Sequence, residues 1–348
     1  MFGKNLKYYR LKNNMTINEL AKRIGVTDMA ISNYEHDKRT PDMQVLRKLE
    51  EALNIKVVDF MSVRDENLQF AHGEFRKNAT LTKSKQELLH ESIEEYFNRF
   101  FTVVNFLGST VLQKSPKIHS LQLVDDLEIC AGRLREWLKL SLEGPVINLI
   151  NILENNGILV YLIDFCDNKF SGINGIVNGY PYIAVNKNMT PERQRFTISH
   201  ELAHMAFIWG EEINDKNREN MSNGIAGAFL FPRKDALREL GPKRSKIQGD
   251  MQVPAAEFGI SMMCLAYRAK ELDIVSESAY KSFMIRVSQL GWKKSEPSRI
   301  EKESSNLFKQ LVYRAIEEDE ISVQRGAELL DVTYKQISEE LSHFSGKE

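Results

Sequence analysis

The stretch Phe196-Thr197-Ile198-Ser199-His200-Glu201-Leu202-Ala203-His204-Met205-Ala206-Phe207 decides how the rest of the chain is read. On a helix, His200 and His204 stand one turn apart on the same face, so both imidazoles can reach one metal ion. Glu201 sits beside that ion without ligating it. This is what a zinc hydrolase needs: two neutral imidazoles hold the ion, the ion acidifies a water, and the carboxylate takes the water's proton and passes it to the leaving amine. A chance match on a surface helix would carry no supporting pattern. Here Phe196, Ile198, Leu202, Ala203, Ala206 and Phe207 mark a largely buried helix, where two histidines and a glutamate are costly unless something satisfies them.

Upstream, Thr190 is placed to cap this helix and Pro191 to start it. Before them lie three strand candidates, residues 158–163, 172–178 and 180–186, with turns at Asp167-Asn168 and Asn178-Gly179. They predict a small antiparallel sheet beside the metal helix, whose edge could pair with an extended peptide and hold its scissile carbonyl over the metal. Downstream, the site needs a third protein ligand and an open position. Position 207 is Phe and position 210 is Gly, so no third histidine follows at the spacing H-x-x-G-x-x-H, and the only later histidine is His343. A carboxylate is therefore expected, and Glu211, Glu212, Asp215 and Glu219 are the near candidates.

Residues 181–204, from Pro181-Tyr182-Ile183-Ala184-Val185-Asn186 through Glu192-Arg193-Gln194-Arg195 to His204, resemble the ImmA/IrrE metallopeptidases. So does the following segment Glu219-Asn220-Met221-Ser222-Asn223-Gly224-Ile225-Ala226-Gly227-Ala228-Phe229-Leu230-Phe231-Pro232. The resemblance implies a zincin-like α+β fold, zinc as cofactor, Glu201 as general base, and Glu219, four residues before Asn223, as third ligand beside His200 and His204. Ser222, Gly224 and Gly227 depart from the family's larger side chains and weaken the expected helix.

At the other end of the chain, residues 1–61 read as five short helices. Thr16 is the cap for Ile17 to Ile24, Gly25 supplies a tight turn, and Thr27 caps a helix from Asp28 to Tyr34. Two short helices joined in this way are the helix-turn-helix that lays its second helix in the DNA major groove. The segment from Thr16 through Tyr34-Glu35 to Lys38-Arg39-Thr40-Pro41 resembles the XRE (Cro/C1-type) repressor family. Residues 1–61 as a whole carry 11 Lys/Arg against 8 Asp/Glu, a local excess hidden by the net charge of -1 for the whole chain. Thr27, Asp28, Met29, Ser32 and Asn33 are expected at base edges, and Lys22, Arg23, Lys38 and Arg39 at phosphates. Asp28 is a departure, since an acidic side chain there repels phosphates.

Between these ends, residues 62–83 are polar and read as a linker, partly ordered around Phe70 and Phe75-Arg76. Helices are expected from Ser84 to Leu107, Asp125 to Leu142 and Val146 to Asn155. The expected division is a helix-turn-helix domain at 1–61, the linker at 62–83, a helical connecting region at 84–143, a metallopeptidase domain at 144–290 and a C-terminal accessory segment at 291–348. In that domain, residues 253–272 have the helix, Gly turn, helix rhythm of a helix-turn-helix around Gly259, which the resemblance implies is a packing element of the peptidase domain. In the accessory segment, Ser322 and Thr333 cap two of three short helices. The fold class expected is thus mostly α with a small antiparallel sheet.

Cys130, Cys166 and Cys264 form no CxxC, which fits reduced thiols and excludes a thiolate zinc cluster. No signal segment opens the chain and no long apolar run spans a membrane, so a cytoplasmic protein with no membrane partner is expected. The partners expected are a double-stranded DNA operator and a protein substrate, which the resemblance implies is a repressor; a homodimer is also allowed for. The function expected is a DNA-binding regulator carrying a zinc endopeptidase. The alternatives are a ligand- or protein-sensing regulator without proteolysis, against which Glu201 argues, and a repressor that cleaves its own linker.

Overall fold

The computed structural model describes residues 2–61, 65, 67–73, 81–293, 296–298 and 300–345. In chain order the elements are α1 (Phe2–Lys12), α2 (Ile17–Ile24), α3 (Asp28–Glu35), α4 (Met43–Leu53), α5 (Val57–Phe60), β1 (Phe70–His72), α6 (Lys83–Leu107), β2 (Leu121–Gln122), α7 (Leu127–Trp137), α8 (Leu149–Asn155), β3 (Leu159–Ile163), β4 (Gly172–Val177) and β5 (Tyr180–Asn186). They continue with α9 (Pro191–Ala206), β6 (Phe207–Ile208), α10 (Asp215–Leu230), α11 (Arg233–Leu240), α12 (Gln252–Glu257), α13 (Met262–Glu271), α14 (Glu277–Gln289), α15 (Leu307–Glu317), α16 (Val323–Leu330) and α17 (Tyr334–Ser345). The protein is mostly helical with a small mixed sheet. Phe75-Arg76 lies outside the described residues.

The chain divides into two compact units. One holds the described residues up to 70, those from 81 to 108 and those from 312 onward; the other holds residues 71–73 and the described residues from 109 to 311.

In the first unit, Leu6, Leu20, Ile24, Ile31, Tyr34, Leu49, Leu53 and Phe60 form one core. Thr16 caps α2 through the Glu19 amide, and the Glu19 carboxylate accepts from the Thr16 amide in return. Gly25, at φ 74°, takes the left-handed conformation that ends α2, and Thr27 caps α3. Arg10 on α1 donates to both oxygens of Glu35 on α3, at 2.5 and 2.9 Å, and also to Met15 O. This buried, bidentate pair fixes α3 against the bundle.

The C-terminal α16 and α17 repeat α2 and α3 position by position. Ser322 caps α16 through Arg325 as Thr16 caps α2 through Glu19, and Asp331 takes the left-handed place of Gly25. The Val332 amide donates to Ala327 O as the Val26 amide donates to Ala21 O. Thr333 then caps α17 through the Gln336 amide. Gly326 stands where α2 has Leu20, and a Cβ there would meet the end of the Ile316 side chain, which would have to shift, so this crossing is the tighter of the two. The segment around this pair is acidic, with Glu317, Glu318, Asp319, Glu320, Glu339 and Glu340, unlike its N-terminal counterpart.

In the second unit the sheet order is β1-β4-β5-β3. Asn178 and Gly179, at φ 50° and 84°, make the two-residue hairpin between β4 and β5. The sheet is mixed, not wholly antiparallel as the sequence reading had it: β5 inserts between β4 and β3 and runs parallel to β3. Six of the seven β5 residues are buried, as a central strand requires. The stretch expected as one helix from Asp125 to Leu142 is α7, starting at Leu127 and ending at Trp137; Lys139, at φ 59°, turns the chain. The buried Arg135 then binds the carbonyls of Phe229, Ser141 and Gly144 at 2.8–3.0 Å, which fixes the following loop. Likewise α8 starts at Leu149 and not at Val146, because the Val146 carbonyl is held by Arg195 of α9.

Residues 296–298 and 300–307 strap this unit together. Glu296 accepts from the Met262 amide at the start of α13, Ser298 donates to Glu192, and Lys302 donates to Lys187 O. Glu303 accepts from the Ile150 amide at 2.7 Å and pairs with Arg195, and Ser305 donates to Glu154. The strap therefore reaches the buried face of the helix that carries the histidine motif. Among the described residues, no helix is long and apolar enough to cross a membrane.

Candidate functional site

The helix α9 opens at Thr190 and Pro191 as its sequence dictates, although the Thr190 side chain makes no capping bond. It is buried on most sides: Ile198, Leu202, Ala203 and Ala206 join the core, and Arg195 donates to Gly259 O at 3.1 Å. It ends at Ala206, one residue before the motif's apolar run does, because Phe207 and Ile208 form β6 and pair in parallel with Leu121 and Gln122. The Trp209 indole then donates to His204 O at 3.2 Å, turning the chain toward α10.

Along α10, Glu219 and Asn223 are one turn apart and both face α9. Glu219 lies 3.5 Å from His200 Nε2 and 3.2 Å from His204 Nε2. Asn223 Oδ1 lies 2.9 Å from His200 Nδ1. With the amide oxygen on this side, which can only accept, Nδ1 carries the proton and the Nε2 lone pair faces Glu219 and His204. The two Nε2 atoms stand 2.9 Å apart. Two lone pairs at that distance repel unless a proton or cation lies between them.

Among the described residues, His200, His204 and Glu219 form the one group of three or more His, Cys, Asp or Glu side chains able to share a metal, with ligating atoms all within 4.8 Å of one another. Two imidazoles and a carboxylate fit zinc with a fourth position for water or substrate. Glu211, Glu212 and Asp215, the other near candidates, are exposed and outside this group. His200 is fully buried, whereas the His204 and Glu219 side chains are 16 % and 30 % exposed, so access is from their side. Glu201 is 5 % exposed and its Oε2 accepts from Asn174 Nδ2 at 2.7 Å.

Two partners of this centre escaped the sequence reading. Asn223 was visible as a position shared with the family but not as the group that orients His200. Asn174 lies 27 residues before Glu201 on β4 and had no local signal at all. The small residues of α10, read as weakening it, are where neighbours come close: a Cβ at Gly224 would meet Leu127 at 2.4 Å, and one at Gly227 would meet Arg268 at 2.9 Å. The Arg268 guanidinium pairs there with Glu271 and Glu128 and donates to Phe231 O, tying α13 to the end of α10.

For zinc held by His200, His204 and Glu219, as proposed below, replacing Asn223 by Ala should weaken affinity by about 10–100-fold, the usual cost of losing a group that orients a ligating imidazole. Competition with a chromogenic chelator measures it, and unchanged affinity would show that His200 needs no such support.

On the first unit, Thr27, Asp28, Met29, Lys22, Arg23, Lys38 and Arg39 are exposed, and Ser32 and Asn33 are partly so. The Thr27 hydroxyl accepts from the Ala30 amide at 3.2 Å, and Asp28 accepts from Asn18 Nδ2 at 2.9 Å. The acidic side chain that looked out of place on a DNA-facing helix thus joins α2 to α3 and sits in a first turn, where negative charge is favoured.

These features correspond to known families. A helix-turn-helix family model matches residues 6–60, and a peptidase family model, described as the IrrE N-terminal-like domain, matches residues 154–270. The HTH-type transcriptional regulator ImmR of Bacillus subtilis (strain 168) is 32% identical over 96 residues, 28% of this chain and 74% of that one. An uncharacterized HTH-type transcriptional regulator of Methanocaldococcus jannaschii is 33% identical over 61 residues, 18% of this chain and 92% of the relative. Another, of Archaeoglobus fulgidus, is 36% identical over 63 residues, 18% and 89% of the two chains. None of the solved structures matches the chain significantly. The chain belongs to the helix-turn-helix transcriptional regulators of XRE type and joins to that module an ImmA/IrrE-like domain.

Proposed function

We propose that the second unit is a zinc-dependent endopeptidase and that the whole chain is a regulator that cleaves a specific partner protein, a repressor. The observation that supports this reading is the convergence of three donor atoms within 4.8 Å on His200, His204 and Glu219, with Glu201 alongside. Zinc held by these three would act as a Lewis acid and lower the pKa of a water. Glu201, its Oε2 fixed by Asn174, takes the proton of the attacking water and delivers it to the leaving amine. Asn223 keeps the Nε2 lone pair of His200 aimed inward. Tethering to an operator raises the local concentration of any DNA-bound target, which favours a repressor as substrate over unselected proteins.

The test is to incubate the zinc-loaded protein with the product of the neighbouring reading frame and map fragments by mass spectrometry. Chelator-sensitive cleavage at one site is expected; an intact partner would defeat the assignment.

For the DNA-binding unit we assign Thr27, Asp28, Met29, Ser32 and Asn33 to the base-facing surface and Lys22, Arg23, Lys38 and Arg39 to phosphates. Four phosphate contacts per module predict a log–log salt slope near −3.6, about a hundredfold loss of affinity between 50 and 200 mM salt. Arg39→Ala should reduce that slope by about 1 without changing sequence preference. Salt titrations of operator binding by fluorescence anisotropy check this, and an unaltered slope would remove Arg39 from the contact set.

A further inference from the structure

The β4 edge of the sheet lies nearest the candidate catalytic carboxylate, since Asn174 of β4 holds Glu201 Oε2. That edge is occupied. Residues 70–72 form β1 beside β4, and the Gly73 amide donates to the backbone oxygen of the same Asn174 at 2.8 Å. The seat is built from side chains as well. Tyr182 on β5, fully buried, stands opposite Gly175 in the β4–β5 register, and its hydroxyl shares a 2.6 Å hydrogen bond with His72 Nδ1. A Cβ on Gly175 would meet that hydroxyl at 2.6 Å and Ala71 O at 2.7 Å, so a side chain there would close the passage. A Cβ on Gly73 would meet Asn174 O at 2.5 Å, backbone against backbone. Glycines at 73 and 175 thus permit an approach that no other residue allows.

Protein-substrate cleavage requires an extended segment, and such a segment binds a sheet by adding a strand to its edge. We propose that residues 70–73 are a resident strand on the substrate-binding edge of β4, and that a substrate segment pairs there only after they leave. The proposal rests on the peptidase reading above. Asn174 is then a positioning residue at the junction, with its amide on Glu201 and its carbonyl on whichever strand occupies the edge. Binding competence is limited to the fraction of molecules with the edge vacated, and apparent affinity falls by that fraction.

The test uses the full chain with Glu201→Gln, so that bound peptide is not cut, and a fluorescent peptide of sequence Asn-Leu-Gln-Phe-Ala-His-Gly, that of residues 67–73. Gly73→Ala, which forces the two backbones apart, and His72→Ala, which removes the bond to Tyr182, should each tighten peptide binding by about tenfold or more over the Glu201→Gln protein alone. Amide exchange in residues 172–177 should speed up in both and be restored by the peptide. If neither variant binds more tightly and exchange is unchanged, the resident-strand proposal is overturned. With Glu201 restored, both variants should cleave the partner protein at lower KM; equal KM in all three proteins would also overturn it. Peptide capture by the variants without cleavage by any form would instead retain the strand and refute the peptidase.

Discussion

Glu201→Gln is expected to lower cleavage of the partner protein by about 10²–10⁴-fold, the range that a positioned general base contributes. Zinc content and operator affinity should stay unchanged. Glutamine preserves the volume and can still accept from Asn174 through its oxygen, so the 2.7 Å contact survives, but it has no basic site for a proton. Because Glu201 is almost fully buried, solvent does not readily replace it as a base. Timed digests followed by gel and mass spectrometry measure the loss. The same variant separates enzyme from sensor: a chain that regulates by sensing alone would repress and respond normally with glutamine at 201. Undiminished cleavage by the variant would remove Glu201 from the chemistry.

The second large effect is expected at Glu219. On the proposed zinc site its carboxylate would supply one donor of three, and its removal should weaken zinc by about 10²–10³-fold, taking a structural-site zinc affinity as shared among its ligands. The loss should exceed that from Asn223→Ala, since a ligand is removed and not merely its orienting partner. Asp215→Ala is the matched control, being on the same helix but exposed and outside the cluster. Zinc stoichiometry by atomic absorption and affinity by chelator competition give both values. If zinc is lost only in His200 and His204 variants, the third ligand lies elsewhere.

Much of this was legible locally. The caps at Thr16, Thr27, Ser322 and Thr333 act within three residues of themselves, so sequence shows them directly, and the structure has each in place. The Asn178-Gly179 hairpin is similarly local, because left-handed backbone at both positions selects these residues. Helix ends were less legible where a distant group captured the backbone. Val146 left its expected helix because its carbonyl binds Arg195, 49 residues away. The glycines of α10 misled for the same reason: helix propensity argues against them, and only the approach of Leu127 and Arg268 explains them.

The sequence by itself determined the two modules, the one-turn spacing of His200 and His204, and the central apolar strand that precedes them, since each depends on short-range geometry and hydrophobic period. Tertiary structure decided which of four carboxylates faces the histidines, that Asn223 and Asn174 orient His200 and Glu201, that β5 pairs in parallel with β3, and that residues 70–73 take the sheet edge. These are contacts between elements far apart in the chain. Their selection depends on packing and on satisfying buried polar groups, and neither leaves a periodic mark in sequence.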